Sequence, residues 1–176
     1  SAELMVRSIM QSDKPVTLFV SGALTNVAEA IRLEPGIKEN IAAVYIMGGA
    51  IYVPGNLPGL EPETSNTTAE WNIYADPLAA SEVFEAGLNL YLVPLDATNQ
   101  VTLNRKDIAV WRKGGSIPDF AADIYNSRMG EWDRDEIEMW DLMTAGIMMN
   151  PQLCNFTPLR LEVVTEEGIT QGQTMV

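Results

Sequence analysis

The side chains best suited to chemistry in this 176-residue chain follow one apolar run. Ile46-Met47-Gly48-Gly49-Ala50 reads as a buried strand that stops at two glycines. Pro54-Gly55-Asn56 comes next in a polar stretch, and Ala69-Glu70-Trp71-Asn72-Ile73-Tyr74-Ala75-Asp76-Pro77 closes it. A carboxylate, Glu70, and two carboxamides, Asn56 and Asn72, gathered at a strand end can hold a polyhydroxylated ligand through directed hydrogen bonds. What is missing narrows the chemistry further. The sequence has no histidine, which excludes Ser-His-Asp and Cys-His mechanisms and histidine-ligated metals within this chain. Its single cysteine, Cys154, can form no internal disulfide, in keeping with a reducing compartment. A metal bound here would be a hard, oxygen-ligated ion.

The polar residues need a scaffold, and the apolar pattern supplies one. Residues 2–11 carry apolar positions at helical spacing, and Asp13-Lys14-Pro15 stops them. Val16–Val20 is a continuous β-rich run that predicts a strand buried on both faces. Ser21–Asn26 turns into a helix from about Val27 to Leu33, which Glu34-Pro35-Gly36 ends. A helical turn near Ile37–Asn40 leads to a second strand, Ala43–Met47. Asp76-Pro77 has the chemistry of an N-cap followed by a first helical residue, for a helix to Glu85 ending at Gly87. Leu90–Pro94 is a third strand. Strand, helix, strand, helix, strand implies an α/β fold with an open, mostly parallel sheet and flanking helices, whose ligands bind beyond the carboxyl ends of the strands. The turns Ser21–Asn26, Gly48–Asn72 and Asp96–Asn99 should therefore open onto one crevice. Residues 104–149 read as mostly helical with a loop at Lys113–Pro118, and Met139–Ala145 opens an apolar helix that ends before Asn150-Pro151. Leu159–Val164 and Thr170–Val176 suggest a hairpin around Glu166-Glu167-Gly168. Residues 1–176 are expected to form one domain, partial, with sequence missing at both ends, because three parallel strands alone would leave exposed edges.

Charge bounds the partners. With 11 Lys and Arg against 24 Asp and Glu the net charge is −13. Such a field repels phosphate backbones, so no nucleic-acid partner is expected. It also suits a site that attracts a cation, although solubility alone accounts for it. No apolar run approaches the roughly 18 residues of a membrane span, and Ser1–Met5 has neither the basic region nor the apolar core of a signal peptide. A cytoplasmic protein with no membrane partner, assembled as a homo-oligomer, is the expectation.

Leu24-Thr25-Asn26, Met47-Gly48-Gly49, Pro54-Gly55-Asn56, Glu70-Trp71-Asn72 with Asp76-Pro77, Leu95-Asp96-Ala97-Thr98 and Trp140-Asp141 together resemble the nucleoside hydrolase family. The likeness runs over nearly the whole chain, in order. The Met-Gly-Gly to Glu-x-Asn-x-x-x-Asp-Pro series is specific, and each other piece is weak by itself. The resemblance implies a modified open α/β sheet, a ribonucleoside as small-molecule substrate, hydrolysis of its N-glycosidic bond, and a calcium ion at the base of the pocket. It implies that Asp141 binds calcium through its side chain and Ser21 through its backbone carbonyl. By the same resemblance Asn56 and Glu70 hold the ribose 5'-hydroxyl, Asn72 reaches the 2'- and 3'-hydroxyls, and Met47 packs beneath the sugar. The chemistry is coherent, because calcium takes oxygen ligands and acidifies a bound water. Carboxylates and amide oxygens stabilise the positive charge that the sugar develops.

Two departures qualify the resemblance. The family's aspartate-rich opening, Asp-Thr-Asp-x-Gly-x-Asp-Asp, which supplies the general base and two further calcium contacts, is absent. The chain is therefore expected to be inactive alone, as the central and C-terminal part of an enzyme; the alternative is a non-catalytic nucleoside- or sugar-binding module on the same scaffold. Secondly, Trp140 stands where the pyrimidine-accepting branch has a histidine. This resembles the purine-preferring branch, in which the leaving base is activated by stacking on aromatic rings; Trp71 points the same way. Each residue also has a structural reading. Asp141 could cap a helix, Trp140 and Met47 could be core, Asn56 could serve a turn, and Glu70 could be a solvated loop charge. Asp76 reads as structural, and Asp96 as either pocket-lining or part of a turn. The charge run Glu131, Asp133, Asp135, Glu136, Glu138 reads as a solvated helix face.

Overall fold

A computed structural model describes residues 2–176. Apolar residues at helical spacing form α1 (Ala2–Met10), which buries Ala2 and Ile9 and ends before Pro15. The β-branched run that follows is strand β1 (Val16–Val20). Helix α2 (Thr25–Leu33) buries Val27, Ala28 and Ala30, and a 3-10 turn over Pro35–Asn40 leads into β2 (Ile41–Met47). Two short helical segments lie in the polar stretch, α3 (Leu57–Leu60) and α4 (Trp71–Ala75), before α5 (Pro77–Glu85) and β3 (Leu90–Val93). The three strands are parallel, in the order β1-β2-β3. The α/β fold with a parallel sheet is thus as expected.

The alternation of the strands shows what covers each face. Val20, Val44 and Ile46 belong to the main core with residues of α1, α2 and α5, and Leu18, Leu90 and Leu92 pack against it. On the opposite face Tyr45 stacks on Tyr91, with ring centroids 4.7 Å apart, and Phe156 meets Tyr91 edge-on at 4.9 Å. That aromatic cover stops at β2 and β3. Phe19, the register partner of Tyr45 on β1, is 39% exposed. The expectation that β1 is buried on both faces is therefore corrected: in this sheet β1 is an edge strand with one solvated face, and a period-two burial pattern follows. The central strand β2 is the one buried almost throughout.

The chain divides into two compact units, residues 2–96 with 141–176, and residues 97–140. The first contains the parallel sheet, α9 from its second residue (helix Trp140–Met149), and a small antiparallel pair, β6 (Glu162–Val163) with β7 (Thr174–Met175); this is the expected hairpin. The second unit begins at the end of the helical turn α6 (Leu95–Thr98). It holds β4 (Thr102–Asn104), α7 (Arg105–Trp111), α8 (Ser116–Glu131) and β5 (Glu136–Glu138) around a core of Leu103, Ile108, Ala122, Met129 and Ile137. Here the sequence misled in two ways. The run from Glu131 is not one helix face: α8 ends at Glu131, Asp133 turns the chain at φ 50°, and Glu136–Glu138 pairs antiparallel with β4. Its single inward residue, Ile137, is the strand signal that the surrounding charge hid. The loop is also shorter than expected, because Pro118 sits in the first turn of α8, where a missing N–H costs no helical bond.

Candidate active site

The end of β2 and the start of α4 meet at one carboxylate. Glu70 is 1% exposed and is the N-cap of α4. Its Oε2 accepts from the backbone N–H of Ile73 at 3.1 Å and of Gly49 at 3.0 Å. Gly48 makes room for this, since a Cβ there would lie 3.3 Å from that same oxygen and 3.2 Å from Ile73. The amide groups favour the ionised form, yet burial outweighs them and pushes the Glu70 carboxyl above its ordinary range, with the negative charge of Asp141 adding to the rise. Glu70 is thus no solvated loop charge. Asp141, in the first turn of α9, has its own carboxyl raised by desolvation although its outer side remains exposed.

Around this pair the other candidates are tied by direct bonds. Asn56 Oδ1 accepts from the Trp71 N–H at 2.9 Å. Asn72 Nδ2 donates to the Met47 carbonyl at 3.2 Å and lies 3.4 Å from the Met47 sulfur. Met47 itself is buried. The two arms of the polar stretch are pressed together at Gly55: its N–H donates to the Thr67 carbonyl at 2.8 Å, and a Cβ at Gly55 would fall 2.0 Å from the Ala69 carbonyl oxygen. Met47, Asn56, Glu70 and Asn72 therefore form one connected set at the carboxyl end of β2.

Side-chain hydrogen bonds also tie the neighbouring strand ends. Asp96, just beyond β3, accepts from the N–H groups of Ile51 and Tyr52, each at 2.8 Å, one on each carboxylate oxygen. Asp96, read from the sequence as pocket-lining or part of a turn, thus anchors the loop between Met47 and Asn56. Asp76 is structural as expected: it caps α5 through Ala79 N–H at 3.0 Å and accepts from the Thr25 hydroxyl at 2.6 Å, tying the loop after β1 to the same end of the sheet. Ser21 lies exposed in that loop. Trp140 belongs to the second unit, where it is partly buried against the local core and meets Trp132 edge-on at 5.9 Å.

Sequence reasoning missed the helical turn α4. Its signal was Glu70 placed three residues before Ile73, the spacing at which a carboxylate caps a helix. It also missed Asn66, which is 4% exposed in the middle of the polar stretch; a polar residue there reads as surface until its partners are known. One Asp-x-Asp triplet does occur, Asp133-Arg134-Asp135, but it is exposed in the turn after α8 of the second unit. Among the described residues no group of three or more His, Cys, Asp or Glu side chains gathers to hold a metal. Asp141 and the Ser21 carbonyl are oxygen donors of the kind calcium uses, but they fall well short of the about six to eight that it takes.

Residues 1–176 match the family of inosine-uridine preferring nucleoside hydrolases. The pyrimidine-specific ribonucleoside hydrolase RihA of Klebsiella pneumoniae is 31% identical over 182 residues, covering 100% of this chain and 56% of that protein. Among solved structures, the inosine-uridine preferring nucleoside hydrolase of Bacillus anthracis superposes with a TM-score of 0.85 at 31% identity, over 99% of this chain and 55% of its own. The purine-preferring ribonucleoside hydrolase of Gardnerella vaginalis does so at 0.81 and 27%, over 99% and 54%. The chain spans about half the length of each.

Proposed function

The chain belongs to the inosine-uridine preferring nucleoside hydrolase family, and from that premise we propose that it forms the sugar-binding part of an enzyme that hydrolyses the N-glycosidic bond of ribonucleosides. The observation that carries this reading is the connected set at the end of β2, where buried Glu70 and the carboxamides of Asn56 and Asn72 stand within one hydrogen-bonded loop system. Glu70 and Asn56 hold the 5'-hydroxyl, Asn72 binds the 2'- and 3'-hydroxyls, and Met47 forms the floor under the ring. As the glycosidic bond lengthens, the ribose becomes cationic. Glu70 and Asp141 would place negative charge near it, and the burial of Glu70 keeps water from screening that carboxylate fully. Asp141 and the Ser21 carbonyl would contribute ligands to a calcium ion, whose chemistry is to acidify and orient a water. In this reading the proton acceptor and the remaining ligands are assigned to none of the described residues.

The preferred base is purine in this proposal. Trp140 offers an indole face that can stabilise an electron-poor, protonated purine by roughly 0.5–2 kcal/mol, but no acidic proton for a pyrimidine. The pyrimidine-specific name of the RihA relatives favours a second reading, and packing of Trp140 against Trp132 would then be its whole role. Turnover of inosine, guanosine and uridine by the complete enzyme separates the two. Faster inosine than uridine is expected. Uridine turnover equal to or above that of inosine supports the pyrimidine reading, and hydrolysis of neither overturns both. Trp140→Ala should depress inosine turnover far more than turnover of a nitrophenyl riboside, whose leaving group needs no activation; equal losses would reduce Trp140 to packing.

A further inference from the structure

We propose that Asn66, a residue outside the substrate-contacting set, is the positioning residue that presets Glu70 and Asn72 by clamping their loop to the C-terminal hairpin. The role in substrate binding rests on the proposed function above; the clamp itself does not. Asn66 is 4% exposed and its amide is used on both sides. Its Oδ1 accepts from Thr68 N–H at 3.1 Å, from the Thr68 hydroxyl at 3.2 Å and from Ala69 N–H at 3.1 Å. Its Nδ2 donates to the carbonyl of Gln171 at 2.8 Å, across 105 residues of sequence. The acceptor side thus fixes the backbone immediately before Glu70, and the donor side fixes that backbone to the turn between β6 and β7.

The hairpin turn is a firm support. Gly172 N–H donates to Val164 O at 2.8 Å, and Gly172 adopts φ 79°. A Cβ there would approach Tyr74 Cα at 2.8 Å, so the turn lies directly against α4. Thr174 of β7 comes as close to Gly49 on the other arm of the site: a Cβ on Gly49 would meet the Thr174 hydroxyl oxygen at 3.1 Å. The hairpin therefore touches both ends of the Glu70 contact, α4 on one side and Gly49 on the other, and Asn66 is the side chain that latches the intervening loop to it. Only a carboxamide fits this post. Oxygen alone serves the Thr68 and Ala69 amides, and a donor alone serves the Gln171 carbonyl. Fixing the loop before the sugar arrives removes an ordering cost that the transition state would otherwise bear.

Hydrogen exchange and kinetics on the complete enzyme test this with Asn66→Ala and Asn66→Asp; the second keeps an acceptor oxygen for Thr68 and Ala69 and replaces the donor to Gln171 by a carboxylate oxygen that repels its carbonyl. Expected in both variants is exchange about tenfold or more faster at the Gly49, Trp71 and Ile73 amides, with the amides of β2 unchanged. Expected too is a kcat/KM for a ribonucleoside about tenfold lower, with a smaller loss for its 5'-deoxy analogue, which does not use Glu70. Unchanged exchange at those three amides, or an equal rise through β2, overturns the clamp, and if Asn66→Ala does not fold the Asp variant alone decides. Faster local exchange with unaltered kinetics in an active enzyme overturns the link to substrate. An inactive wild-type enzyme would instead sink the functional proposal and leave the exchange result standing.

Discussion

Glu70 is a carboxylate held at 1% exposure, and in the proposed reaction its charge would face a cationic sugar. Because its folded-state carboxyl lies above the ordinary glutamate range, the native state binds the proton more tightly than the unfolded chain. Stability from this group is then full below the unfolded value and declines as pH rises through the interval up to the folded one. Glu70→Gln should flatten that decline, because both amide bonds fall on Oε2 and a carboxamide oxygen can accept both. Denaturant midpoints from acid to neutral pH would show it; an unaltered slope would mean that the carboxyl is not strained by burial. Asn72→Ala is expected to lower kcat/KM of the complete enzyme by about tenfold or more, at least ~1.4 kcal/mol of transition-state stabilisation, with stability little changed. Unaltered kinetics in a stable variant would remove Asn72 from the site. At this scale the sequence showed which polar types gather after Met47 and that Asp76 would cap a helix. It did not show that Glu70 is buried. Burial of a charge depends on amides from Gly49, 21 residues away, and no local pattern encodes that.

The elements work as a holder for the loop system. β2, the central strand, carries Met47 to the carboxyl edge of the sheet, and helices α2 and α5 are joined at their N-terminal ends by Thr25 and Asp76. The polar stretch folds back on itself at Gly55, where backbone meets backbone. Gly55→Ala is therefore expected to cost about 2–3 kcal/mol, as overpacking does, and to weaken substrate binding by displacing Asn56. A denaturant midpoint equal to wild type would show that the close approach does not exist in solution. The order of parallel strands and helices was legible because long apolar runs separated by Pro and Gly have few alternatives. The pair β4–β5 was not: its strands are three residues each, largely exposed, and held by pairing rather than by a hydrophobic stripe. β1 was misread for a related reason. A β-branched run declares a strand, but how many faces are covered depends on what packs there, here an aromatic cluster that ends at Tyr45.

At the scale of the molecule, the chain is an acidic α/β body of the nucleoside hydrolase family that matches about half the length of its relatives. Among its described residues no helix is long and apolar enough to cross a membrane. The two oxygen donors proposed for calcium, Asp141 and the Ser21 carbonyl, would be too few for a tight site, so calorimetry on the isolated chain should find weak binding at best; submicromolar affinity would mean that a different ligand set exists. In the proposed mechanism the isolated chain is expected to show no nucleoside hydrolysis; turnover by it would mean that a carboxylate of this chain serves as general base. The most direct test of the hydrolase reading is ribose release from inosine by the complete enzyme in phosphate-free buffer. Expected is formation of free ribose and hypoxanthine in equal amounts, at a rate that added phosphate leaves unchanged. No ribose release, or a reaction that requires phosphate and yields ribose phosphate, would contradict it.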